Sequence, residues 1–138
     1  MLKVFLDANV ILEVMLRRTH HADAAAVLKA GAQHHIDLFT SSSVVGFVAY
    51  WMIKDLGLQE TKNLLKQLFD FVRVIDIKHE QLLYSLQAEF KDLEDGIQYY
   101  TAIQHELDYF ATFNKNDFRR AMRSVKVLSP AELMKIIF

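Results

Sequence analysis

Short apolar runs alternate along the chain with longer segments in which apolar residues recur every three or four positions. The short runs contain β-branched and aromatic residues and predict strands, whereas the longer periodicity predicts helices. The predicted strands cover residues 3–7, 37–40, 72–77, 108–112 and 125–128, the last of them at an edge of the sheet. The predicted helices cover residues 9–15, 24–30, 44–56, 59–69, 79–90 and 95–106, followed by a helix that Ser129 and Pro130 open.

This alternation predicts parallel strand pairing with right-handed crossovers, because parallel neighbours need a long connection. Helices then cover both faces of the sheet. We therefore expect an α/β fold of three layers, α/β/α and Rossmann-like, around a central four- to five-stranded, mainly parallel sheet. A length of 138 residues suits one domain, and we assign residues 1–138 to a single domain.

Composition narrows the classes of function. The chain has no cysteine, which excludes thiolate metal sites and cysteine nucleophiles. No apolar run approaches the roughly 20 residues of a membrane span, and the N-terminus does not resemble a signal peptide. We therefore expect a cytoplasmic protein that has no membrane partner.

Charge is distributed unevenly. The net charge of −1 gives no overall attraction to nucleic acid. Residues 115–126, however, hold five basic side chains against one acidic side chain. Such a cluster can bind phosphate, or it can form the solvated face of a helix.

The third predicted helix is unusually apolar. Residues 44–53 carry apolar side chains almost all round the helix. A helix of this kind is buried, either in the core of its own domain or in an interface. The interface alternative predicts a homodimer, or a groove that binds an apolar partner helix.

Acidic and amide side chains follow two predicted strands and open one helix. Asp7 ends the first strand, Asn114 and Asp117 follow the strand at 108–112, and Asp95 begins a helix. Because open α/β sheets bind ligands at the carboxyl ends of their strands, we expect these side chains to converge. Buried carboxylates that converge repel one another, and Mg²⁺ or Mn²⁺ relieves the repulsion. Such an ion activates water and offsets charge on a phosphate, which predicts a nuclease.

Each of these residues also has a purely structural interpretation. Asp7 and Asp92 can cap the helices that follow them, and Asn114 and Asp117 can stabilise a turn. The six histidines form two adjacent pairs and two isolated residues, a spacing that does not make a zinc site.

Three segments resemble the motifs of PIN domains in order and spacing. Residues 6–12 (LDANVIL) resemble the opening motif, residues 92–102 (DLEDGIQYYTA) the central acidic motif, and residues 108–118 (DYFATFNKNDF) the late motif. Residues 129–132 match the usual start of the closing helix. The resemblance implies a PIN-like fold and Mg²⁺- or Mn²⁺-dependent cleavage of RNA, as in VapC-type toxins that pair with a small antitoxin protein.

The resemblance also implies roles for individual positions. The catalytic residues would be Asp7, Asp95, Asn114 and Asp117, of which the first three would bind the metal. Asn9, Asp92 and Thr112 would surround these residues and support them without binding the metal themselves.

Basic residues close to the motifs are candidates for binding substrate. Phosphate contacts position a nucleic acid without reading its sequence. The residues expected to make such contacts are Arg17, Arg18, Lys115, Arg119 and Arg120.

One position departs from the family pattern. The family usually places a glutamate early in the helix after the second strand, and Phe47 stands about there in this chain. Loss of a carboxylate should weaken metal binding, since the charge count of the ligands sets much of the affinity. Either Glu94 or Asp92 can compensate, or the domain is degenerate and binds RNA or a protein partner without cleavage.

A phosphoacceptor receiver domain is a further alternative, since it also has an acidic pocket on a parallel sheet. It requires an acidic pair after the first strand, and no second acidic residue adjoins Asp7. Asp76 could serve as the phosphorylated aspartate, but no Pro or Gly follows Lys126 as that family would lead us to expect.

Overall fold

Five parallel strands form one sheet in a computed structural model that describes residues 1–88, 90–118 and 125–138. The strands are β1 (Lys3–Leu6), β2 (Asp37–Ser41), β3 (Val72–Ile75), β4 (Tyr109–Ala111) and β5 (Lys126–Leu128). All four neighbouring pairs are parallel. The predicted α/β fold with a parallel sheet is therefore confirmed.

The strand order is β3-β2-β1-β4-β5, so β1 lies at the centre. The chain moves to one side of β1 through β2 and β3, and then returns to the other side through β4 and β5. The order therefore reverses between β1 and β4, which is the point where open α/β sheets bind ligands. A receiver domain has the order 2-1-3-4-5, so the topology rules out that alternative.

Helices flank the sheet in two groups. Helix α1 packs against α2 and α3, and α2 packs against α7, whereas α5 and α6 pack against each other. The helices are α1 (Ala8–Met15), α2 (His21–Ala32), α3 (Ser42–Leu56), α4 (Leu58–Leu68), α5 (His79–Gln87), α6 (Leu93–Gln104) and α7 (Pro130–Ile137), with a 3-10 turn at Lys115–Phe118. Within the described ranges, none of these helices has the length and hydrophobicity needed to cross a bilayer.

Side-chain caps begin most of the helices that the sequence predicts. The side chains of Asp7, Ser41, Asp92 and Ser129 each accept a hydrogen bond from a backbone N–H of the first helical turn. At α7, the carboxylate of Glu132 accepts a hydrogen bond from the backbone N–H of Ser129, which completes a capping box. Gly57 ends α3 with a φ of +83°, a left-handed conformation that glycine adopts without strain.

Aromatic side chains fill the core beside β4. The rings of Phe5 and Phe110 stack at 5.0 Å between centroids across the paired strands. Phe118 packs against Phe110 at 4.8 Å. The hydroxyl of Tyr99 on α6 donates to the carbonyl of Val125, at 2.6 Å. These contacts fix α6 over the sheet and thereby fix the position of its N-terminus.

Fewer apolar residues of α3 are buried than its composition suggests. Val44, Val48 and Met52 are buried, whereas Phe47 and Trp51 stay 40% and 39% exposed. The core interpretation of this helix is therefore wrong for about half of its apolar residues, because only one face of α3 meets the domain.

The leucines of α5 do not form its buried face. Leu82, Leu83 and Leu86 are exposed, and Gln81 and Ser85 are buried in their place. The hydroxyl of Ser85 donates to the carbonyl of Gln81, and Gln81 Oε1 accepts from the backbone N–H of Lys78. The short helix therefore turns a polar face inward and leaves its leucines uncovered.

Helix α2 continues through Gly31, beyond the predicted end at residue 30. A Cβ at this position would lie 2.3 Å and 2.7 Å from Cδ1 and Cγ of buried Leu38 on β2. The residue therefore allows close contact between helix and sheet.

We predict that Gly31→Ala destabilises the protein by about 1–3 kcal/mol, the usual range for overpacking a core. Urea unfolding followed by circular dichroism measures the effect. The matched control is Gly46→Ala in α3, where a Cβ meets nothing within 4 Å. This control should gain about 0.5–1 kcal/mol, because alanine loses less backbone entropy in a helix. Equal effects of the two substitutions would contradict the packing role of Gly31.

Candidate active site

A hollow of about 380 Å³ opens at the carboxyl ends of β1 and β4. The chain reaches it from the start of α1, the middle of α3, the start of α6 and the turn after β4. The residues that line it are Asp7, Ala8, Asn9, Leu12, Arg18, Phe47, Trp51, Asp92, Glu94, Asp95 and Asn114. The structure thus brings together Asp7, Asp95 and Asn114, which are far apart in the sequence.

Asp7 is held by β4 as well as by its own helix. Its backbone N–H donates to the carbonyl of Ala111 at 3.0 Å, which continues the parallel pairing beyond the last residue of β1. Its Oδ1 accepts from the backbone N–H of Ala8 at 2.9 Å. Its Oδ2 accepts from the hydroxyl of Thr112 at 2.8 Å and from Nδ2 of Asn9 at 3.2 Å. The carboxylate therefore both caps α1 and lies in the wall of the hollow.

Thr112 and Asn9 complete a closed set of hydrogen bonds. The Thr112 hydroxyl accepts from Asn9 Nδ2 at 3.0 Å and from the backbone N–H of Asn114 at 3.1 Å. The backbone N–H of Phe113 donates to Asn9 Oδ1 at 3.1 Å. The hydroxyl thus uses its one donor and both acceptor positions. This network holds the turn after β4 against the start of α1.

Asp92 positions Asp95 by capping α6. Its Oδ1 accepts from the backbone N–H of Glu94 at 2.8 Å and of Asp95 at 3.4 Å. One turn later, Gln98 hydrogen-bonds to Ser41 and Ser43 at the start of α3. The second turn of α6 is therefore joined to the start of α3, and its first turn faces the hollow.

The surroundings of the hollow disfavour the ionised form of Asp7 and Asp95. Burial raises the pKa of Asp7 from 3.8 to about 6, although hydrogen bonds from Thr112 and Ala8 act in the opposite direction. Burial and then the charge of Asp7 raise the pKa of Asp95 from 3.8 to about 7, with smaller contributions from Asp92, Asp117 and Glu94. The two carboxylates are therefore close enough to repel each other, with Asp7 buried and Asp95 partly exposed.

This donor set fits a hard divalent cation. In the described part of the chain, no three acidic or histidine side chains form a ready-made metal cage. Mg²⁺, however, keeps several waters and needs only one or two direct carboxylates. Asp7 and Asp95 supply two, and a bound cation would neutralise the repulsion that raises the pKa of Asp95.

The predicted substrate contacts are found in different places. Arg18 lies in the wall of the hollow, whereas Arg17 is exposed outside it with a left-handed φ of 50°. Lys115 donates to both carboxylate oxygens of Glu132 at 2.7 Å and 2.9 Å. That contact lowers the pKa of Glu132 to about 2. Arg119 and Arg120 lie outside the described residues.

Asp117 lies in the 3-10 turn and is exposed, outside the lining of the hollow. Its charge still raises the pKa of Asp95. It is therefore near the carboxylates without forming their wall.

Trp51 and Leu12 line the hollow, although no sequence motif predicted a role for them there. Trp51 could have been found from Phe47, because residues four apart lie on the same face of a helix. Leu12 has no comparable signal, since apolar residues of α1 are expected in the core.

A larger cavity of about 670 Å³ opens along the edge strand β3. Its lining includes Lys3, Asp37, Asp70 and Arg73, a mixture of both charges. It contains the first residues of β1 and β2 rather than the carboxyl ends of the central strands. We therefore assign the candidate active site to the smaller hollow, which lies at the reversal of strand order.

Comparison with known proteins identifies the family. A family model described as PIN domain matches residues 3–116. The chain therefore belongs to the PIN-domain family. No curated protein sequence matches it.

Solved structures of toxin–antitoxin proteins share the fold. The chain is similar to a protein in the VapBC2 complex from Rickettsia felis bound to a promoter DNA fragment (TM-score 0.73, 15% identity, 93% of this chain and 98% of the other). It is similar to one in a toxin–antitoxin complex from Klebsiella pneumoniae (TM-score 0.70, 24% identity, 92% and 97%). A third is VapC20 from Mycobacterium tuberculosis, a toxin that cleaves the sarcin-ricin loop (TM-score 0.67, 14% identity, 89% and 98%). At these identities the similarity establishes the fold.

We predict that the metal-free protein loses stability as the pH rises from about 5 to about 7.5. Because both pKa values are raised, the folded protein in this range holds protons that the unfolded chain has released. The free energy of unfolding then falls with pH, by about 1–2 kcal/mol for Asp7 over this range. Thermal unfolding in EDTA at several pH values measures the slope.

Asp7→Asn provides the matched comparison, because it removes one of the two titrating groups. The variant should show a flatter dependence on pH than the wild type. Equal slopes would mean that Asp7 does not carry the raised pKa.

Proposed function

We propose that this chain is a metal-dependent endoribonuclease that acts as the toxin of a toxin–antitoxin pair. The observation that carries the proposal is the hollow in which Asp7 and Asp95 repel each other, in a chain of the PIN-domain family. The similarity to a toxin that cleaves the sarcin-ricin loop supports RNA as the substrate. Since RNA is the proposed substrate, we expect the protein to act in the cytoplasm.

Asp7, Asp95 and Asn114 would hold Mg²⁺ or Mn²⁺. When bound, the ion supplies an activated water and stabilises negative charge that develops on the phosphate. Thr112 and Asn9 orient the Asp7 carboxylate through their hydrogen bonds. These residues thereby fix the donor geometry before any ion or substrate arrives.

Three further residues would act around the proposed metal. Arg18, in the wall of the hollow, would bind a phosphate of the substrate. Asp92 caps the helix that carries Asp95 and keeps that carboxylate in place. Asp117, whose charge Asp95 senses, would position water on the open side of the site.

We also propose a protein partner and a homodimer. The similar structures come from toxin–antitoxin complexes, which supports an antitoxin as partner. Tyr50, Ile53 and Leu58 are exposed on α3 and α4 and would contact an apolar antitoxin helix. The exposed leucines of α5 form a separate apolar surface that a second copy of the chain would cover.

A domain that binds without cleaving is the second candidate function. Phe47 favours it, because an apolar ring stands in the hollow where the family usually has a carboxylate. The missing charge lowers the expected affinity for metal. Glu94 and Asp92 also line the hollow and are the acids that could compensate.

We predict that Asp7→Asn abolishes Mn²⁺-dependent RNA cleavage and leaves thermal stability at neutral pH nearly unchanged. The loss of a buried charge offsets the weaker hydrogen bonds to Thr112 and Asn9. Gel analysis of a labelled RNA and differential scanning fluorimetry measure the two effects. Retained cleavage in this variant would rule out the assignment, and no cleavage by the wild type at millimolar Mn²⁺ would favour the second candidate.

We predict that Phe47→Glu binds Mn²⁺ at least about tenfold more tightly than the wild type, since the ligand charge count sets much of the affinity. Isothermal titration calorimetry at pH 7.5 measures the dissociation constants. Phe47→Gln is the matched control, because glutamine has the same shape without the charge. Equal affinities of the Glu and Gln variants would show that residue 47 does not reach the ion.

A further inference from the structure

Two aromatic rings share the hollow with the carboxylates. Phe47 and Trp51 lie one turn apart on α3, and both line the wall that contains Asp7 and Asp95. Their ring centroids are 6.5 Å apart at an interplanar angle of 64°. Both side chains keep about two fifths of their surface exposed, because Val44, Val48 and Met52 already supply the buried face of this helix. The fold therefore does not need these rings for its core.

The composition of the wall restricts what the rings can bind. A purely apolar ligand would exclude water from the charged groups of Asp7, Asp95 and Arg18 without replacing it, which is unfavourable. The four acidic side chains of this wall repel a phosphate until the proposed metal ion offsets their charge. With that ion bound, a ligand that combines a phosphate with a flat apolar group fits both the charged part and the aromatic part of the wall. A nucleotide of a single strand has both, since its base is unpaired and exposes its faces.

We propose that Phe47 and Trp51 form a stacking platform for an unpaired RNA base next to the phosphate at the carboxylates. This inference rests on the proposed function and names the single-stranded form of RNA as its substrate. It also explains the aromatic residue at a position where the family usually has an acid. A base held in a duplex cannot present its face to these rings, so duplex RNA is excluded.

A cation lies on the outer side of the platform. The ammonium of Lys54 is 5.3 Å from the ring centroid of Trp51 and 4.9 Å from that of Tyr50. It would contact the next phosphate along the strand, beyond the stacked base. Arg18 thus provides positive charge in the wall of the hollow, and Lys54 provides it beside Trp51. These two positions suit an RNA strand that passes from the hollow across the rings.

Trp51 is the single tryptophan of the chain, so its fluorescence reports on the platform directly. The experiment uses Asp7→Asn in Mg²⁺, a variant that we expect to bind RNA without cleaving it. The probes are a labelled adenosine hexanucleotide and a strand of the same length without bases. Anisotropy measures binding, and Trp51 emission measures stacking.

We expect the hexanucleotide to quench Trp51 and to bind about tenfold more tightly than the strand without bases, as one stacked base contributes. Adding Phe47→Leu should weaken RNA binding by about the same factor and leave binding of the strand without bases unchanged. Tyr84→Leu is the control, because Tyr84 is exposed on α5 and outside the hollow. It should change neither measurement.

Other results would exclude the stacking platform, the proposed function or RNA as the ligand of the rings. RNA that binds with the same affinity as the strand without bases, and without changing Trp51 emission, overturns the platform but leaves the proposed function intact. No binding of either strand by Asp7→Asn, together with no binding and no cleavage by the wild type in Mn²⁺, contradicts the proposed function itself. Emission that responds to a leucine-rich helical peptide and not to RNA would assign the rings to a protein partner. A dimer by light scattering whose Trp51 is shielded from acrylamide would assign them to a second copy, and both results overturn the proposal.

Discussion

The parallel junction between the end of β1 and the end of β4 is the constraint on which the site depends. The backbone N–H of Asp7 pairs with Ala111, and the side chains of Asn9 and Thr112 close the gap beyond the strands. The Thr112 hydroxyl uses its one donor and both acceptor positions in this junction. The Asp7 carboxylate is a part of the same network, which holds it in the wall of the hollow.

The same junction holds the Asp7 carboxylate where it repels Asp95, and a metal ion would relieve this repulsion. Asp7 is held by its pairing with β4 and caps α1, so its carboxylate stays close to Asp95 on α6. Asp95 lies in the first turn of its helix, where the helix dipole favours negative charge. This compensation is partial, since its pKa is still raised to about 7. The remaining repulsion is what a divalent ion would remove.

Helix α3 shows how one element serves several surfaces. One face packs into the domain through Val44, Val48 and Met52, and a second face contributes Phe47 and Trp51 to the hollow. A third carries exposed Tyr50 and Ile53. The apolar character all round this helix therefore reflects three different environments. An aromatic wall beside a metal-type carboxylate pair combines the two chemistries that a single-stranded nucleic acid offers, phosphate and base.

Local patterns in the sequence determined the elements and their starts. Asp7, Ser41, Asp92 and Ser129 cap helices through contacts within three residues, so a short window contains the relevant physics. The apolar runs also indicated parallel strands, and the placement of Asp7 and Asn114 after strands indicated that they would meet. The ordered motifs added the family, which the sequence alone was enough to suggest.

Only the tertiary structure decided which surfaces meet. The strand order, the exposed leucines of α5 and the place of Trp51 beside Asp7 depend on pairing between residues far apart in the chain. Gly31 illustrates the reason, because it stays helical where Leu38 of β2 leaves no space for a side chain. Periodicity marks which residues are apolar, but burial depends on whether another element lies against them, and no local pattern encodes that contact.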